Sequence, residues 1–223
     1  MSRPHEVSTV DTGTSFGRGQ LGEVGALVAR RARFLLETRT RSSTVAVLAH
    51  LRANVASEPG ADPQVWSVTM EGVPGNPRGD DASTEERAVH AALTLFALHQ
   101  QSRPGDMHQP GLGLGRAVAR LDRIRGGTDS ENTSPVRRRF DAVVTSGSFN
   151  EVIHHLRGVV ALLRSEGVAL DYGMLADDLE QFQRPGGADA VRRRWARQYY
   201  RLDPDVHAAA DTSPTDTTIE EQQ

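Results

Sequence analysis

The sequence predicts an all-α protein, one or two helical bundles of about seven to nine helices with disordered tails. Three observations carry that prediction. Apolar residues recur at spacings of three and four through most of residues 23 to 202. No stretch sustains the period-two alternation of a strand, and no Asn-Gly or Asp-Gly turn separates β-branched runs.

A first helix is expected from Glu23 to about Leu36, and a second from Ser43 to about Ala56, closed by Glu58-Pro59-Gly60. A short turn from Asp62 to Met70 follows, with Pro63 as its first helical residue, where a missing N–H costs nothing. It leads into the loop Gly72-Val73-Pro74-Gly75-Asn76-Pro77. Ser83 and Glu86 have the spacing of a capping box for a helix with Val89, Ala92, Leu93 and Phe96 on one stripe, ending near Gln101. After a loop at 103 to 112, Leu114 to Arg125 sets Ala117, Leu121 and Ile124 on one face, with Gly126-Gly127 as terminator. Pro135 opens a helix over Val136 to Val144. Ser148 and Glu151 form a second box, followed by the most amphipathic segment of the chain, Phe149, Val152, Ile153, Leu156, Val159, Val160 and Leu163, stopped by Gly167. Asp171 is placed to cap a helix through Leu175, Leu179 and Phe182, and Asp189 the last one, whose Val191, Trp195 and Tyr199 recur every four residues.

Residues 1 to 22, rich in Ser, Thr and Gly, and residues 203 to 223, acidic and with Ser213-Pro214, are expected to be disordered tails. Between them lies one helical domain, 23 to 202, with any subdivision falling near 103 to 113. With no cysteine, disulfide scaffolds, Cys-type zinc sites and thiol nucleophiles are excluded. The longest apolar runs are four to five residues, too short to span a bilayer, and the first 22 residues lack a signal-peptide stretch, so a cytoplasmic protein without membrane contact is expected.

All 26 basic residues are arginine. A composition bias explains why none is lysine, but not where they sit. The net charge of −3 conceals a division: residues 203 to 223 hold six acids and no base, while 23 to 202 hold 24 Arg against 21 acids. Phosphate responds to the local patch rather than to the total. Arginines gather as Arg30, Arg31 and Arg33; as Arg116, Arg120 and Arg123 at i, i+4, i+7; as Arg137, Arg138 and Arg139; and as Arg192, Arg193, Arg194, Arg197 and Arg201. Arg193, Arg197 and Arg201 make a ridge at spacing four that can track a phosphate backbone; it can equally be a solvated face paired with carboxylates. The triplet 137 to 139 is the hardest to neutralise locally, its nearest acids being Asp141 and Glu131.

Other candidate sites are weaker. Gly111-Leu112-Gly113-Leu114-Gly115 resembles a phosphate-cradling lead-in to a helix, but no strand precedes it as a dinucleotide fold requires. His154 and His155 point about 100° apart on a helix and cannot both face one metal, while Asp177 and Asp178 read as solvated surface. His90 and His99 read as surface or core-edge residues. Trp195, Tyr199 and Tyr200 are either base-stacking platforms or, by their spacing, core. A metal-dependent hydrolase built on His154, Asp177 and Asp178 is a third functional class, and a helical adaptor that binds only protein a second.

The order of segments resembles the CasB family, the small subunit of the type I-E CRISPR effector complex Cascade. The resemblance spans about residues 24 to 201. It rests on Ala92-Leu93-Thr94-Leu95-Phe96-Ala97-Leu98-His99-Gln100, Leu114 to Leu121, Arg137-Arg138-Arg139-Phe140, Leu156-Arg157, Leu163-Arg164, Val168 to Tyr172 with Leu175 and Leu179, and Val191 to Tyr199. It implies a non-catalytic, all-helical subunit without cofactor, metal or small-molecule substrate. Its implied partners are a second copy of itself, the backbone and large subunits, guide RNA and the target DNA strands, with the R-loop stabilised without sequence reading. Basic positions in family-like segments are Arg52, Arg116, Arg120, Arg137, Arg138 and Arg157; helical geometry adds Arg123, Arg139, Arg193 and Arg197. The chain departs from the family in its tails, a longer loop at 72 to 83, and an acidic C-terminus with the charge to shield a basic patch.

Overall fold

The computed structural model describes residues 20 to 126, apart from 76 and 78, and residues 134 to 201; the two expected tails otherwise lie outside the described residues. Those residues form α1 (Glu23–Glu37), α2 (Ser42–Ala53), a 3₁₀ turn (Pro63–Val65) running into the short α3 (Trp66–Thr69), α4 (Thr84–Gln100), α5 (Leu114–Ile124), α6 (Pro135–Thr145), α7 (Phe149–Glu166), α8 (Tyr172–Phe182) and α9 (Gly187–Tyr200). Among the described residues there is no strand, only an isolated bridge between His108 and Leu170. None of these helices is long and apolar enough to cross a membrane. The all-α expectation holds.

The starts of the helices follow from their caps. Ser83 and Glu86 close both arms of their box. Ser148 accepts from the Glu151 N–H, but the Glu151 carboxylate reaches back one residue further, to the Gly147 N–H at 2.6 Å. Asp171 accepts from Gly173 and Met174 with one oxygen and from the Gly111 N–H with the other, at 2.6 Å, which caps α8 and pins the 103 to 113 loop with one carboxylate. Two boundaries differ from expectation. Helix α2 stops at Ala53 because the Asn54 amide donates to the His50 carbonyl and to Asp62, a local alternative to continuing the helix. Helix α9 starts at Gly187 rather than behind an Asp189 cap; a Cβ on Gly187 would lie 1.8 Å from the Gln181 carbonyl oxygen, so only glycine lets the helix begin against α8. Asp189 sits in the first turn and pairs with Arg192.

Helix α4 is the axis. Its residues 88 to 97 are buried all round, because α1, α2, α3, α7 and α8 pack against it. One cluster of buried apolar side chains runs from Val24 of α1 to Trp195 of α9, across both sides of the 103 to 113 loop. His90 and His99, expected at the surface or core edge, are both buried because α4 has no solvent side there. His99 Nδ1 meets the Tyr172 hydroxyl at 2.9 Å, and Tyr172 also packs edge-on against Phe96.

The two carboxylates read as solvated surface are internal. Asp178 is 2% exposed, forms an ion pair with Arg194 and accepts from Trp195 Nε1 at 2.6 Å. Burial pushes its pKa up to about 6, against the pull of Arg194 and the indole. Asp177 accepts from the N–H groups of Gly22 (2.8 Å) and Gly25 (2.6 Å), capping α1 from another helix where the N-cap residue, Gly22, has no side chain to do so.

Two predictions follow from this core. Asp178→Ala leaves Arg194 and the indole N–H without their acceptor and is expected to lower unfolding free energy by on the order of 3 kcal/mol, measured by urea titration; an effect under about 0.5 kcal/mol contradicts the role given to the pair. Burial depresses the His99 pKa from 6.5 to about 4, so the folded state disfavours its charged form. Its contribution to stability is present above pH 6.5 and lost as pH falls from 6.5 towards 4, by roughly 3 kcal/mol in total. Wild type is expected to lose that much more than His99→Gln over this window, and parallel stability curves for the two refute the assignment.

Candidate nucleic-acid interface

The fold consumes many of the arginines, using the guanidinium fork to bind carbonyls and carboxylates between elements. Arg31 donates to the carbonyls of Val68 and Glu71, Arg125 to Glu166 and Ser165, and Arg164 to Gln101. On α9, Arg192 bonds Asp189 and the Ser146 carbonyl, and Arg194 bonds Asp178 and Gln181. Only every fourth arginine of that helix, Arg193, Arg197 and then Arg201, is left exposed.

The triplet 137 to 139 divides in the same way. Arg137 is neutralised locally after all: its Nε lies 2.7 Å from Asp141 one turn along, and its Cζ lies 4.9 Å and 5.0 Å from the ring centres of Tyr199 and Tyr200. Partial burial lowers its pKa, but Asp141 and the Tyr200 oxygen outweigh that and hold it above the ordinary value. Beneath it Tyr199 stacks on Phe140, with rings 5.2 Å apart, and donates to Asp122 at 2.6 Å. Burial and Asp122 push the Tyr199 pKa up to about 12. Tyr199 and the wholly buried Trp195 are thus core, and Tyr200 alone of the three aromatics is exposed.

Arg138 and Arg139 turn the other way. With Pro135 and Ala142 of α6 and His154, His155 and Gly158 of α7 they line an open concavity of about 460 Å³. His154 also borders a second cleft of about 250 Å³, which continues past Phe149, Ile153 and Arg157 to a far wall made by residues 55 to 59, Arg87 and His90. The two concavities adjoin at His154, one on either side of it. Among the described residues Arg139 and Arg157 have no hydrogen-bonded or ion-paired partner, and Arg87 Nε and His90 Nδ1 are buried without one. Burial lowers the pKa of His90 and keeps it a neutral wall residue. The carboxylates nearby are partly engaged: Asp141 by Arg137, and Glu151 by the Gly147 N–H and, at 3.9 Å, His155; Glu58 lies just before Pro59 on the far wall. A groove with cationic forks above an apolar floor can bind phosphates on a backbone that lies along it.

The remaining sequence candidates lie elsewhere. Arg116, Arg120 and Arg123 are exposed on α5, with Arg123 Nε directed at the Ala119 carbonyl, and Arg193 and Arg197 are exposed on α9, the helix α5 packs against. Arg52, on α2, is half-buried outside both concavities, and burial lowers its pKa. The structure thus sets Arg138 and Arg139 in one concavity and Arg157 in the adjoining one, places Arg116, Arg120, Arg123, Arg193 and Arg197 on a second helix pair, and ties Arg137 into the framework. Arg87, His90, His154 and His155 also line these concavities and were not assigned to them from sequence. The spacing of Arg87 and His90, i and i+3 on one helix, is the signal that marks them as one face.

The glycine run before α5 serves packing, not anions. A Cβ on Gly115 would lie 2.1 Å from the Trp195 carbonyl oxygen, and the Gly115 N–H donates to Gln198 while that of Gly111 donates to Asp171. The N–H groups that would cradle a phosphate at these two positions already have acceptors.

The comparisons with known proteins agree on one family. The family model described as CRISPR-associated protein Cse2 matches residues 47–200. CasB from Thermobifida fusca is similar at 37% identity with a TM-score of 0.66, over 82% of this chain and 100% of that one. CasB from Thermus thermophilus is similar at 26% identity with a TM-score of 0.58, over 78% and 97%. A chain of a CRISPR RNA-guided surveillance complex shares the fold at a TM-score of 0.60, with 24% identity over 84% and 97%. No curated protein matches the chain in sequence. Because the Cse2 match runs from within α2 to the end of α9, more than half of the chain, and the Thermobifida fusca protein is 37% identical over 82% of it, the chain belongs to the CRISPR-associated Cse2 family, the CasB proteins.

Proposed function

We propose that the chain is the non-catalytic small subunit of a type I-E CRISPR surveillance complex, Cascade, and that it holds nucleic acid without reading its sequence, stabilising the R-loop between guide RNA and target DNA. The observation that carries this reading is the pair of adjoining concavities on α7, one lined by Arg138 and Arg139 and the other by Arg157, with no ion-paired carboxylate at Arg139 or Arg157 among the described residues. The family and the surveillance complex that contains a chain of the same fold support the assembly. Base pairing between guide and target supplies the specificity, as in another RNA-guided system, and the protein supplies charge. Its partners are a second copy of itself, the backbone and large subunits, guide RNA and the two DNA strands. The exposed arginines of α5 and α9, Arg116, Arg120, Arg123, Arg193 and Arg197, extend the cationic surface, and Arg52 and Arg137 contribute charge from its margins.

Each exposed contact is weak, so retention comes from many contacts and from docking into the assembly. Arg138, Arg139 and Arg157→Gln together are expected to weaken binding to single-stranded DNA at least tenfold at moderate salt, and to reduce the slope of log affinity against log salt by about 2. A variant with unchanged affinity and unchanged R-loop formation in the complex ends this reading.

A protein-only adaptor is the second reading. Phe34, Val45 and Trp66, large apolar side chains exposed on α1, α2 and α3, favour it, since such residues are suited to protein contacts. Reversing charge at Arg116, Arg120 and Arg138 to Glu separates the two. Loss of nucleic-acid binding with assembly intact is expected; loss of assembly with binding retained supports the adaptor.

A further inference from the structure

The two concavities on α7 differ in chemistry. The one that holds Arg138 and Arg139 has only the small residues Pro135, Ala142 and Gly158 beside its charges and imidazoles. The cleft of about 250 Å³ on the other side of His154 is built from the start of α7, the first half of α4 and the segment 55 to 59 that follows α2. Phe149 and Ile153, half-buried one turn apart on α7, give it an apolar lining together with Val55 and Pro59. Arg87 and Arg157 line the same cleft and are half-buried too. Among the described residues neither side chain has a hydrogen-bonded or ion-paired partner, and Arg87 Nε is buried. Taking a cationic group partly out of water without an acceptor is unfavourable. Arg31, Arg192 and Arg194, equally half-buried, all have acceptors. Among the described lining residues Glu58 is the only carboxylate, and it is exposed. The wall is fixed before any ligand arrives: His90 bonds the Asn54 carbonyl at 3.0 Å and the Asn54 amide bonds Asp62, which ties the segment to α4 at its start.

We propose that this cleft seats one unstacked nucleotide of a bound single strand, its base against Phe149 and Ile153 and its phosphate at Arg87 and Arg157. The inference rests on the reading of the α7 surface as a nucleic-acid interface, and gives that surface a subsite for a base. The occupant has to bring both an apolar plane and a negative charge. A phosphate alone leaves the apolar lining uncovered, and an apolar ligand leaves two guanidinium groups without an acceptor; a nucleotide satisfies both. Volume limits the occupant to one base, since about 250 Å³ falls below the roughly 300 to 1,000 Å³ of sites for drug-sized ligands. Stacking on an aromatic ring accepts any base, because each has a π-face, so the subsite adds affinity without reading sequence. It does read strandedness. A base within a duplex has its faces covered by its neighbours and its edge paired, and enters such a cleft only after it is extruded at a cost. The cleft adjoins the concavity of Arg138 and Arg139 at His154, so the same strand has a cationic surface for its neighbouring phosphates.

A free mononucleotide carries the same chemistry, and the test separates the two sources. The full chain is titrated with a labelled oligothymidylate and with an abasic strand of the same length and phosphate count. Wild type is expected to bind the oligothymidylate roughly tenfold more tightly. Phe149→Leu keeps an apolar side chain but removes the ring, and is expected to narrow that preference to about threefold or less. Equal affinity of wild type for the two strands overturns the base subsite and leaves the interface standing. Failure of both strands to bind overturns the interface reading and the proposal with it. An undiminished preference in folded Phe149→Leu protein puts the base elsewhere and overturns the proposal. A measurement on wild type covers the case in which that variant does not fold. Oligothymidylate is expected to shift the amide resonances of residues 57 to 59, 149 and 153, and the abasic strand to shift them far less; no shift there at saturation overturns the proposal. Thymidine monophosphate is expected to bind more weakly than the oligothymidylate, and a tighter complex with it makes the occupant a free nucleotide and overturns the strand assignment.

Discussion

Two adjacent carboxylates on α8 hold the helices on either side of it in place. Neighbouring side chains on a helix diverge by about 100°, so Asp177 and Asp178 cannot serve the same partner. Asp177 supplies the missing cap of α1, and Asp178 engages Arg194 and Trp195 of α9. The approach of α1 is close enough that a Cβ on Gly25 would meet the Asp177 carboxylate at 2.3 Å. Helix α8 also packs on α4, the buried axis. The N-terminal helix, the central helix and the C-terminal helix are thereby referred to one element, and the surfaces they present have a defined relation to each other.

That relation decides what each arginine does. Once Arg194 is turned inward to Asp178, helical periodicity turns Arg193 and Arg197 outward. The contact of Gly115 with the Trp195 carbonyl draws α5 against α9 and leaves Arg116 and Arg120 on its outer side. Asp122 accepts from Ser134 and Tyr199, joining the start of α6 to the end of α9, and Arg137 lies over the Tyr199 and Tyr200 rings at the same junction. With Arg137 committed there, Arg138 and Arg139 face α7. The cationic surface beside α7 is thus a by-product of how the framework uses its other arginines.

Much of the helical layout was legible because it depends on neighbours in sequence. The Ser83 and Glu86 box, Pro135 as a first helical residue, the Asp171 cap and the left-handed Gly167 stop each act within one turn. Asn54 ended α2 early through a contact eight residues away at Asp62, and α9 began at Gly187 because of its fit against Gln181; neither is visible in a local pattern. The candidate site was legible by half. The arginine clusters were found, but an arginine bound to a carbonyl reads in sequence like one facing solvent, and the histidines of α7 carried no local sign that they would line a groove with Arg138 and Arg139.

By itself, then, the sequence determined the fold class, the helix starts and stops that local capping governs, the abundance and clustering of arginine, and the resemblance to the family. Tertiary structure alone decided which carboxylates are buried, which arginines are spent on the framework, and which converge from different helices. The physical reason is range. Periodicity and capping act over three to four residues, whereas the pairing of Asp178 with Arg194 and Trp195, and the meeting of Arg87 of α4 with Arg157 of α7 at one cleft, depend on contacts between residues well apart along the chain.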